Sequence, residues 1–203
     1  MITIVDYGMG NLGSIFNMFK KIGVQSKITS DKIEIEKASK ILLPGVGSFD
    51  AAMSKIKELD FQSLLNFKAL EEKIPVLGIC LGMQLLTNSS EEGNLPGLGW
   101  IPAETLKFKF DANQNLKIPH MGWNMVQKNR TSKLTDDFEE EARFYFVHSY
   151  YVKCKNDANS ILKTNYGFTF DSVIQKDNIY GAQFHPEKSH KFGMKLFKNF
   201  SEI

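Results

Sequence analysis

Residues 75–87, PVLGICLGMQLLT, decide the fold of this 203-residue chain. The stretch begins with a short apolar run that suits a buried strand, and after Cys80 the apolar residues take the spacing of a helix. Gly78 and Gly82 flank Cys80, as glycines do in the strand-turn-helix elbows that present a nucleophile. A thiolate at a helix N-terminus is favoured by unpaired N–H groups and the helix dipole. The stretch therefore predicts a nucleophilic cysteine on a sharp turn, although a buried cysteine packed between glycines has the same local pattern.

Alternating strands and helices are predicted on the N-terminal side of this elbow. Apolar patterning gives, in order, strand 1–6, helix 12–22, strand 24–29, a short helix after Asp31, strand 40–43, helix 49–59 and helix 61–73. This order favours a parallel sheet covered by helices on both faces. Such sheets bind ligands beyond the carboxyl ends of their strands, which is where the elbow places Cys80.

Residues 93–178 have a different pattern of predicted secondary structure. Turn-forming segments alternate there with short strands such as 105–110 and 144–147, which is typical of antiparallel structure. A last strand at 179–184 precedes the closing helix. We therefore expect a single α/β domain over residues 1–203, with a mostly parallel central sheet, helices on both faces and an antiparallel β extension.

Composition and charge narrow the class of protein. Hydrophobic residues make up 42% and charged residues 24% of the chain, which is ordinary for a globular domain. The net charge of +2 gives no reason to expect nucleic acid as a partner. No apolar run approaches the ~20 residues that span a bilayer, and the first residues do not resemble a signal peptide. We expect no membrane association and a cytoplasmic location, in which Cys80 and Cys154 stay reduced.

Two glycine-rich turns follow strands of the predicted sheet. Gly8-x-Gly10-x-x-Gly13 is similar to a dinucleotide-binding loop, but no acidic residue ends a clear second strand to hold a ribose, so we expect no cofactor. We also expect no metal. The other turn, PGVG at 44–47, is rigid at its proline and bare at its glycines. Its backbone N–H groups can meet an oxyanion, although an isolated P-G-x-G is more often a plain turn.

His185 and Glu187 flank Pro186 just beyond the last predicted strand. In an extended segment residues i and i+2 face the same way, so we expect the carboxylate to lie beside the imidazole. A carboxylate there can orient the ring while His185 takes a proton from Cys80. A surface turn is the simpler explanation of an isolated H-P-E.

Taken together, these motifs resemble a known family. GICLGMQ, preceded by LPGVGSF and followed by HPEKS, is similar to the class I, or triad, glutamine amidotransferases. Within that family, the series DYGMGNL, SSEEG, GLGW, KIPHMGWN, YFVHSYY and QFHPEKS resembles the glutaminase subunits of imidazole glycerol phosphate synthases. The similarity covers nearly the whole chain.

The resemblance implies roles for individual residues. Cys80 attacks the glutamine side-chain amide, His185 acts as base and then as acid, and Glu187 orients His185. The oxyanion is met by backbone N–H groups of three residues, Val46, Gly47 and Leu81. Glutamine is contacted by four residues, Gln84, His148, Ser149 and Tyr150.

The resemblance also implies a partner. His120, Trp123 and Asn124 lie toward a synthase (cyclase) subunit with a (β/α)8 barrel, which forms a heterodimer with this chain, and Tyr145 helps to close the passage for ammonia. Passage inside a complex keeps ammonia from being protonated in water. The expected products are imidazole glycerol phosphate and AICAR, made in histidine biosynthesis.

Two features of the sequence leave an alternative partner open. Residues 99–108 depart from the glycine-valine pattern usual in histidine-pathway subunits, and the ending SHKFGMKLFKNF is similar to paralogues that supply ammonia to sugar amidotransferases in surface-polysaccharide synthesis. Outside this group, the alternatives are a cysteine peptidase or γ-glutamyl hydrolase, and a catalytically silent regulatory subunit.

Overall fold

The computed structural model describes residues 1–203, except for the side chain at position 112. The strands, in chain order, are β1 (Ile2–Val5), β2 (Ser26–Thr29), β3 (Ile41–Leu43), β4 (Val76–Ile79), β5 (Ser89–Ser90), β6 (Ala103–Lys107), β7 (His120–Met125), β8 (Gln127–Lys128), β9 (Arg143–His148), β10 (Tyr150–Cys154), β11 (Ser160–Tyr166), β12 (Phe168–Lys176) and β13 (Ile179–Ala182). The α-helices are α1 (Leu12–Lys21), α2 (Lys32–Glu36), α3 (Phe49–Glu58), α4 (Gln62–Asn66), α5 (Leu81–Leu85) and α6 (His190–Glu202). None of the helices in the described residues is long and apolar enough to cross a membrane.

Most of the strands belong to one mixed sheet. Its order is β2-β1-β3-β4-β13-β12-β10-β6-β5, and β11 and β8 are added beside β12. The strands from β2 to β13 pair in parallel. Strands β12, β10 and β6 continue the sheet by antiparallel pairing. This arrangement confirms the expected parallel sheet with an antiparallel extension.

Strands β4 and β13 are neighbours in space although about a hundred residues separate them in sequence. They pair in parallel, with Ile79 opposite Ala182, so their carboxyl ends finish side by side. The Cys80 N–H donates a hydrogen bond to the Ala182 carbonyl oxygen across this end, at 2.8 Å. The sheet thus brings the residues that follow β4 next to those that follow β13.

Two hydrophobic cores lie on opposite faces of the sheet. Because side chains alternate along a strand, Leu77 of β4 packs with helices α1 and α6, whereas its neighbour Val76 packs with helices α3 and α4. Leu42 and Leu43 of β3 divide in the same way. Helices therefore cover both faces, as expected.

The structure corrects several predicted boundaries. The strand expected at 105–110 is β6, which ends at Lys107, and the helix expected at 61–73 is α4 followed by a π-helical turn, Phe67–Glu71. The segment after His185 was expected to be extended, but Pro186–Lys188 forms a 3-10 turn. Proline suits the first position of a helical turn because its missing N–H would be unpaired there anyway.

Strands β7 and β9 form a separate two-stranded antiparallel sheet. Along β7, buried or half-buried side chains alternate with the exposed side chains of Met121, Trp123 and Met125. The last residue of β9, His148, lines the pocket described below.

Candidate active site

Cys80 occupies the sharp turn that its flanking glycines predict. Its φ and ψ are 54° and −110°, a conformation that L residues rarely adopt and that the surrounding structure must maintain. Cys80 is the N-cap of α5 and is 7% exposed, so its side chain is largely enclosed but reaches the pocket. The strained turn and the pocket position agree with a nucleophile better than with a cysteine that only fills the core.

The glycines around Cys80 are required by close backbone contacts. A Cβ at Gly82 would lie 2.0 Å from the Leu43 carbonyl oxygen, and one at Gly78 would lie 2.5 Å from the Gly82 carbonyl oxygen. A Cβ at Gly45 would lie 2.9 Å from the Gly82 nitrogen. The elbow is therefore pressed against both β4 and the PGVG turn, with no space for side chains between them.

His185 is held by hydrogen bonds on three sides. Its ring Nδ1 lies 2.7 Å from Glu187 Oε1, and its backbone N–H donates to the Tyr145 carbonyl oxygen at 2.9 Å. The Ser189 hydroxyl donates to the His185 carbonyl oxygen at 2.6 Å and accepts from the Tyr145 N–H at 3.0 Å. Glu187 therefore meets the ring even though the segment is a 3-10 turn, and Ser189 fastens this turn to β9.

Opposing effects determine the protonation of His185. Burial disfavours the charged ring, but Cys80 and Glu187 outweigh burial and raise the pKa of His185 well above its usual range. Nε2 makes no hydrogen bond of ordinary geometry to a described residue, so Cys80 acts on it by proximity rather than through a formed bond. Such contacts are often long in a ligand-free site and shorten around the substrate.

A cavity of about 370 Å³ opens in front of Cys80 and His185. All seven residues expected from the sequence to contact the substrate or the oxyanion line it, namely Val46, Gly47, Leu81, Gln84, His148, Ser149 and Tyr150. Glu187 lies behind His185, with its side chain only 2% exposed. The structure therefore brings residues from opposite ends of the chain to one pocket, whose volume suits a small molecule.

The PGVG turn forms one wall of this pocket. Val46 is exposed and Gly47 has φ +110°, a value that favours glycine. Among the described hydrogen bonds, none is donated by the Val46 or Gly47 N–H. The Leu81 N–H belongs to the first turn of α5, where N–H groups lack partners within the helix. Free N–H groups thus lie on both sides of Cys80.

Sequence reasoning missed four pocket residues: Glu92, Pro119, Val147 and Lys188. Glu92 Oε2 accepts a hydrogen bond from the Phe49 N–H at 2.8 Å, at the start of α3, where Ser48 provides no side-chain cap. Its carboxylate is therefore fixed at the pocket edge. The quoted motif SSEEG contains Glu92, but an acidic pair in a loop gives no signal of which carboxylate faces a substrate.

The residues expected at a partner surface separate into two groups. Trp123 is exposed, Asn124 and Tyr145 are half-buried, and the Trp123 and Tyr145 rings meet edge to face at 6.5 Å. His120 was expected at the interface, but its side chain is buried, because the alternation of β7 turns it away from the face that carries Trp123. His120 instead contacts His148 of the pocket wall.

The described residues hold no group of three or more His, Cys, Asp or Glu side chains placed to bind a metal ion. Gly8 and Gly10 both have positive φ, so a tight turn after β1 accounts for these glycines without reference to a phosphate.

Comparisons with known proteins agree with this site. The family model described as glutamine amidotransferase class-I matches residues 3–203. A Methanococcus maripaludis protein named imidazole glycerol phosphate synthase subunit HisH 2 is 60% identical over 98% of both chains. Proteins with the same subunit name from Pseudomonas aeruginosa (HisH 2) and Bdellovibrio bacteriovorus (HisH) are 45% and 47% identical over 100% of both chains.

Solved structures show the same fold at lower sequence identity. One described as a glutamine amidotransferase superposes with a TM-score of 0.74 at 16% identity, over 100% of this chain and 98% of the other. A glutamine amidotransferase from Thermotoga maritima superposes with a TM-score of 0.67 at 18% identity, over 99% of this chain and 82% of the other. The match of the family model to almost the whole sequence, and relatives of this similarity, establish that the chain belongs to the class-I glutamine amidotransferase family.

Proposed function

We propose that this chain hydrolyses glutamine to glutamate and ammonia and passes the ammonia to a synthase subunit that makes imidazole glycerol phosphate and AICAR. The observation that carries the proposal is the meeting of Cys80 with the His185–Glu187 pair at the carboxyl ends of β4 and β13. We also propose that the chain acts as one domain and works in the cytoplasm, as expected for a biosynthetic enzyme.

The proposed reaction has two halves. His185 takes the thiol proton of Cys80, and the sulfur attacks the amide carbon of glutamine. Collapse of the tetrahedral intermediate breaks the C–N bond, and His185 returns the proton to the leaving nitrogen, which gives ammonia and a γ-glutamyl thioester. His185 then deprotonates a water, whose attack releases glutamate and restores the thiol. Glu187 keeps the ring oriented and balances its charge.

Free backbone N–H groups are proposed to stabilise the oxyanion. Leu81, whose N–H is the first of α5, lines the pocket beside Cys80, and so do Val46 and Gly47. Donors fixed in advance around a developing negative charge lower the barrier of acyl transfer, and loss of one such donor typically costs about 10²–10³ in turnover.

The remaining pocket wall is proposed to hold the amino-acid end of glutamine. His148, Ser149 and Tyr150 approach from one side and Gln84 from the helix after the nucleophile. Glu92 adds a carboxylate that complements the substrate's ammonium group. This arrangement distinguishes free glutamine from a peptide, since a peptide bond would remove the ammonium charge.

A passage from the pocket to the partner surface is proposed beside Tyr145. The Lys188 ammonium lies 5.5 Å from the centre of the Tyr145 ring, and Lys188 also lines the pocket. On the outer side, Trp123 contacts Tyr145 and stands between the exposed methionines Met121 and Met125 on one face of β7. Aromatic residues and methionine on an exposed face are typical of protein interfaces.

The names of the full-length relatives support the synthase partner. Several proteins at 45–60% identity are called imidazole glycerol phosphate synthase subunits. The alternative partner, a sugar amidotransferase, has no support among these relatives. We therefore propose a heterodimer with a (β/α)8 synthase subunit.

Isotope transfer tests this function. The chain is combined with the synthase subunit from the same organism, with glutamine labelled with ¹⁵N in its amide, and with the nucleotide substrate of that subunit. We expect ¹⁵N in imidazole glycerol phosphate even when unlabelled ammonium is in excess. Cys80→Ala should abolish the transfer, and Cys154→Ala, at the other free cysteine, should preserve it. Glutamate release without transfer, or recovery of only a sugar-modifying enzyme as the native partner, would overturn the assignment.

A further inference from the structure

His120 and His148 form a buried pair between β7 and the pocket. His120 Nδ1 lies 2.9 Å from His148 Nε2, and the two residues are opposite each other in the β7–β9 ladder. At its other nitrogen, each ring has a further partner: His148 Nδ1 is 2.7 Å from the Tyr150 carbonyl oxygen, and Asn124 Nδ2 is 3.1 Å from His120 Nε2. These hydrogen bonds form a continuous network from strand β7, which carries the partner-facing residues, to the pocket wall.

The partners at the two ends of this network fix the direction of each of its hydrogen bonds. A carbonyl oxygen only accepts, so His148 carries its proton on Nδ1 and its Nε2 must accept from His120 Nδ1–H. His120 Nε2 is then an acceptor, and it receives the Asn124 amide N–H. The orientation of this amide is fixed independently, because Nδ2 also donates to the Asn165 carbonyl oxygen and Oδ1 accepts the Met125 N–H.

Aromatic rings surround both imidazoles. His120 is stacked between Phe146 at 4.8 Å and Tyr166 at 4.1 Å, and Phe108 and Phe170 lie 5.3 Å from His148. Burial in these surroundings lowers the pKa of His120 to about 4 and that of His148 to about 3. Both rings are therefore neutral near pH 7, as the hydrogen-bond directions require.

The hydrogen-bond network continues from His148 to the nucleophile, Cys80. The Tyr150 carbonyl oxygen, which accepts from His148, also accepts from Gln84 Nε2 at 3.3 Å. Gln84 Nε2 donates as well to Gln183 Oε1 at 3.2 Å, and Gln183 Nε2 lies 3.7 Å from the Cys80 sulfur. Gln84, His148 and Tyr150 are among the residues proposed to hold glutamine, whereas His120 is buried and does not line the cavity.

We propose that His120 is a positioning residue for the glutamine pocket: through His148 it fixes the Tyr150 carbonyl group and Gln84, and it ties them to strand β7. The proposal rests on the proposed glutaminase function. Because these groups bind the unreacting end of the substrate, loss of the link weakens ground state and transition state alike, which raises KM and leaves kcat unchanged.

Steady-state kinetics in the complete complex with saturating synthase subunit test this role. His120→Phe keeps a ring between Phe146 and Tyr166 but removes both nitrogens, and we expect KM for glutamine to rise about tenfold, with kcat within about twofold of wild type. His120→Asn places a donor near the position of Nδ1 and should restore most of the affinity. Tyr166→Phe is the matched control. The Tyr166 hydroxyl donates to the Lys117 carbonyl oxygen, which is not part of the network, so this variant should keep the wild-type KM.

Nitrogen NMR of the histidine rings provides a readout that needs no substrate. We expect wild-type His148 to show the Nδ1–H tautomer with a hydrogen-bonded Nε2. In His120→Phe the Tyr150 carbonyl oxygen still holds the proton on Nδ1, but the Nε2 resonance should shift to that of a nitrogen without a donor. If His120→Phe does not fold, Asn124→Ala removes the donor to His120 Nε2, and we expect it to raise KM about threefold.

Two results would overturn the role of His120. One is a wild-type KM in His120→Phe, or in Asn124→Ala where that variant replaces it, and the other is a KM equally raised in His120→Phe and His120→Asn. A wild-type complex that shows the His148 tautomer but releases no glutamate would instead overturn the proposed function, and with it glutamine as the ligand of this pocket.

Discussion

The Tyr7 hydroxyl donates a hydrogen bond to the Pro44 carbonyl oxygen, at the first residue of the PGVG turn. Tyr7 is completely buried after β1, and its hydroxyl oxygen lies 2.8 Å from the position that a Cβ on Gly45 would occupy. Burial, followed by the proximity of Cys80, raises the pKa of Tyr7, so the hydroxyl keeps its proton and remains a donor near pH 7. Tyr7 thereby fixes the turn whose N–H groups are proposed to meet the oxyanion.

Tyr7→Phe tests whether this anchor matters for turnover. Removing the hydroxyl leaves the Pro44 carbonyl oxygen without its donor and lets the turn move, which affects the oxyanion that exists only during the reaction. A net loss of about 0.5–1.5 kcal/mol predicts a kcat about two- to tenfold lower with KM little changed. Tyr180→Phe is the control, because the Tyr180 hydroxyl donates no hydrogen bond among the described residues. Equal kinetics in both variants would show that the Tyr7 hydroxyl does not contribute to turnover.

Gly82→Ala tests the close packing of the elbow. The new Cβ would lie 2.0 Å from the Leu43 carbonyl oxygen, so α5 must move away from β3. We expect the free energy of unfolding to fall by about 3 kcal/mol or more, as for other overpacked sites, and glutaminase activity to be lost. Gly13→Ala in α1, where a Cβ meets nothing within 4 Å, should instead be neutral or gain about 0.5–1 kcal/mol. Urea unfolding of both variants gives the comparison, and a stable, active Gly82→Ala would contradict the described geometry.

Glu187→Gln tests the electrostatics of His185. Burial opposes the charged ring, and Cys80 and Glu187 raise the pKa, so removing the carboxylate charge should lower the pKa of His185 and reduce turnover about 10²-fold. The wild-type ring contributes stability fully below the unfolded pKa of about 6.5, and that contribution is lost as the pH rises through the higher folded pKa. NMR titration of His185 in both proteins measures the shift. Identical titrations would show that Glu187 does not act on the ring.

The buried histidine pair predicts sensitivity to acid. Burial lowers the pKa of His120 to about 4 and of His148 to about 3, so below pH 6.5 the unfolded chain binds protons that the folded chain does not. Stability is therefore fully present above about pH 6.5 and falls toward pH 4, by up to about 1.4 kcal/mol per pH unit for each ring. Urea unfolding at pH 7 and pH 5 should show a smaller loss for His120→Phe than for wild type, with His190→Gln, at an exposed position, as the control. An unchanged loss in His120→Phe would mean that folding does not lower the pKa of His120.

Local patterns were sufficient for the elbow and for the parallel half of the sheet. Gly78 and Gly82 predicted a turn that only glycines permit, and the close contacts at both positions explain why. The resemblance to the family brought together Cys80, His185 and the PGVG turn, and the adjacency of β4 and β13 is the structural reason that these distant segments meet.

Other features depend on contacts that no local pattern encodes. Pro186 was expected to hold an extended segment, but a proline is equally suited to start the observed 3-10 turn, and the choice is made by packing of α6, where a Cβ at Gly193 would meet the Pro186 carbonyl oxygen at 1.8 Å. The inward position of His120 follows from the register of β7 with β9, which the PHMGWN motif does not specify. The anchoring role of Tyr7 was missed because it depends on the distant Pro44.

Covalent labelling by a glutamine analogue with an electrophilic carbon in place of the amide tests whether Cys80 is the nucleophile. The complex with the synthase subunit is treated with the analogue, and the modified residue is located by peptide mass spectrometry. We expect one adduct, on the sulfur of Cys80, that excess glutamine prevents and that forms far more slowly in His185→Ala. Labelling confined to Cys154, or no labelling of a complex that still consumes glutamine, would contradict the assignment of Cys80 as the nucleophile.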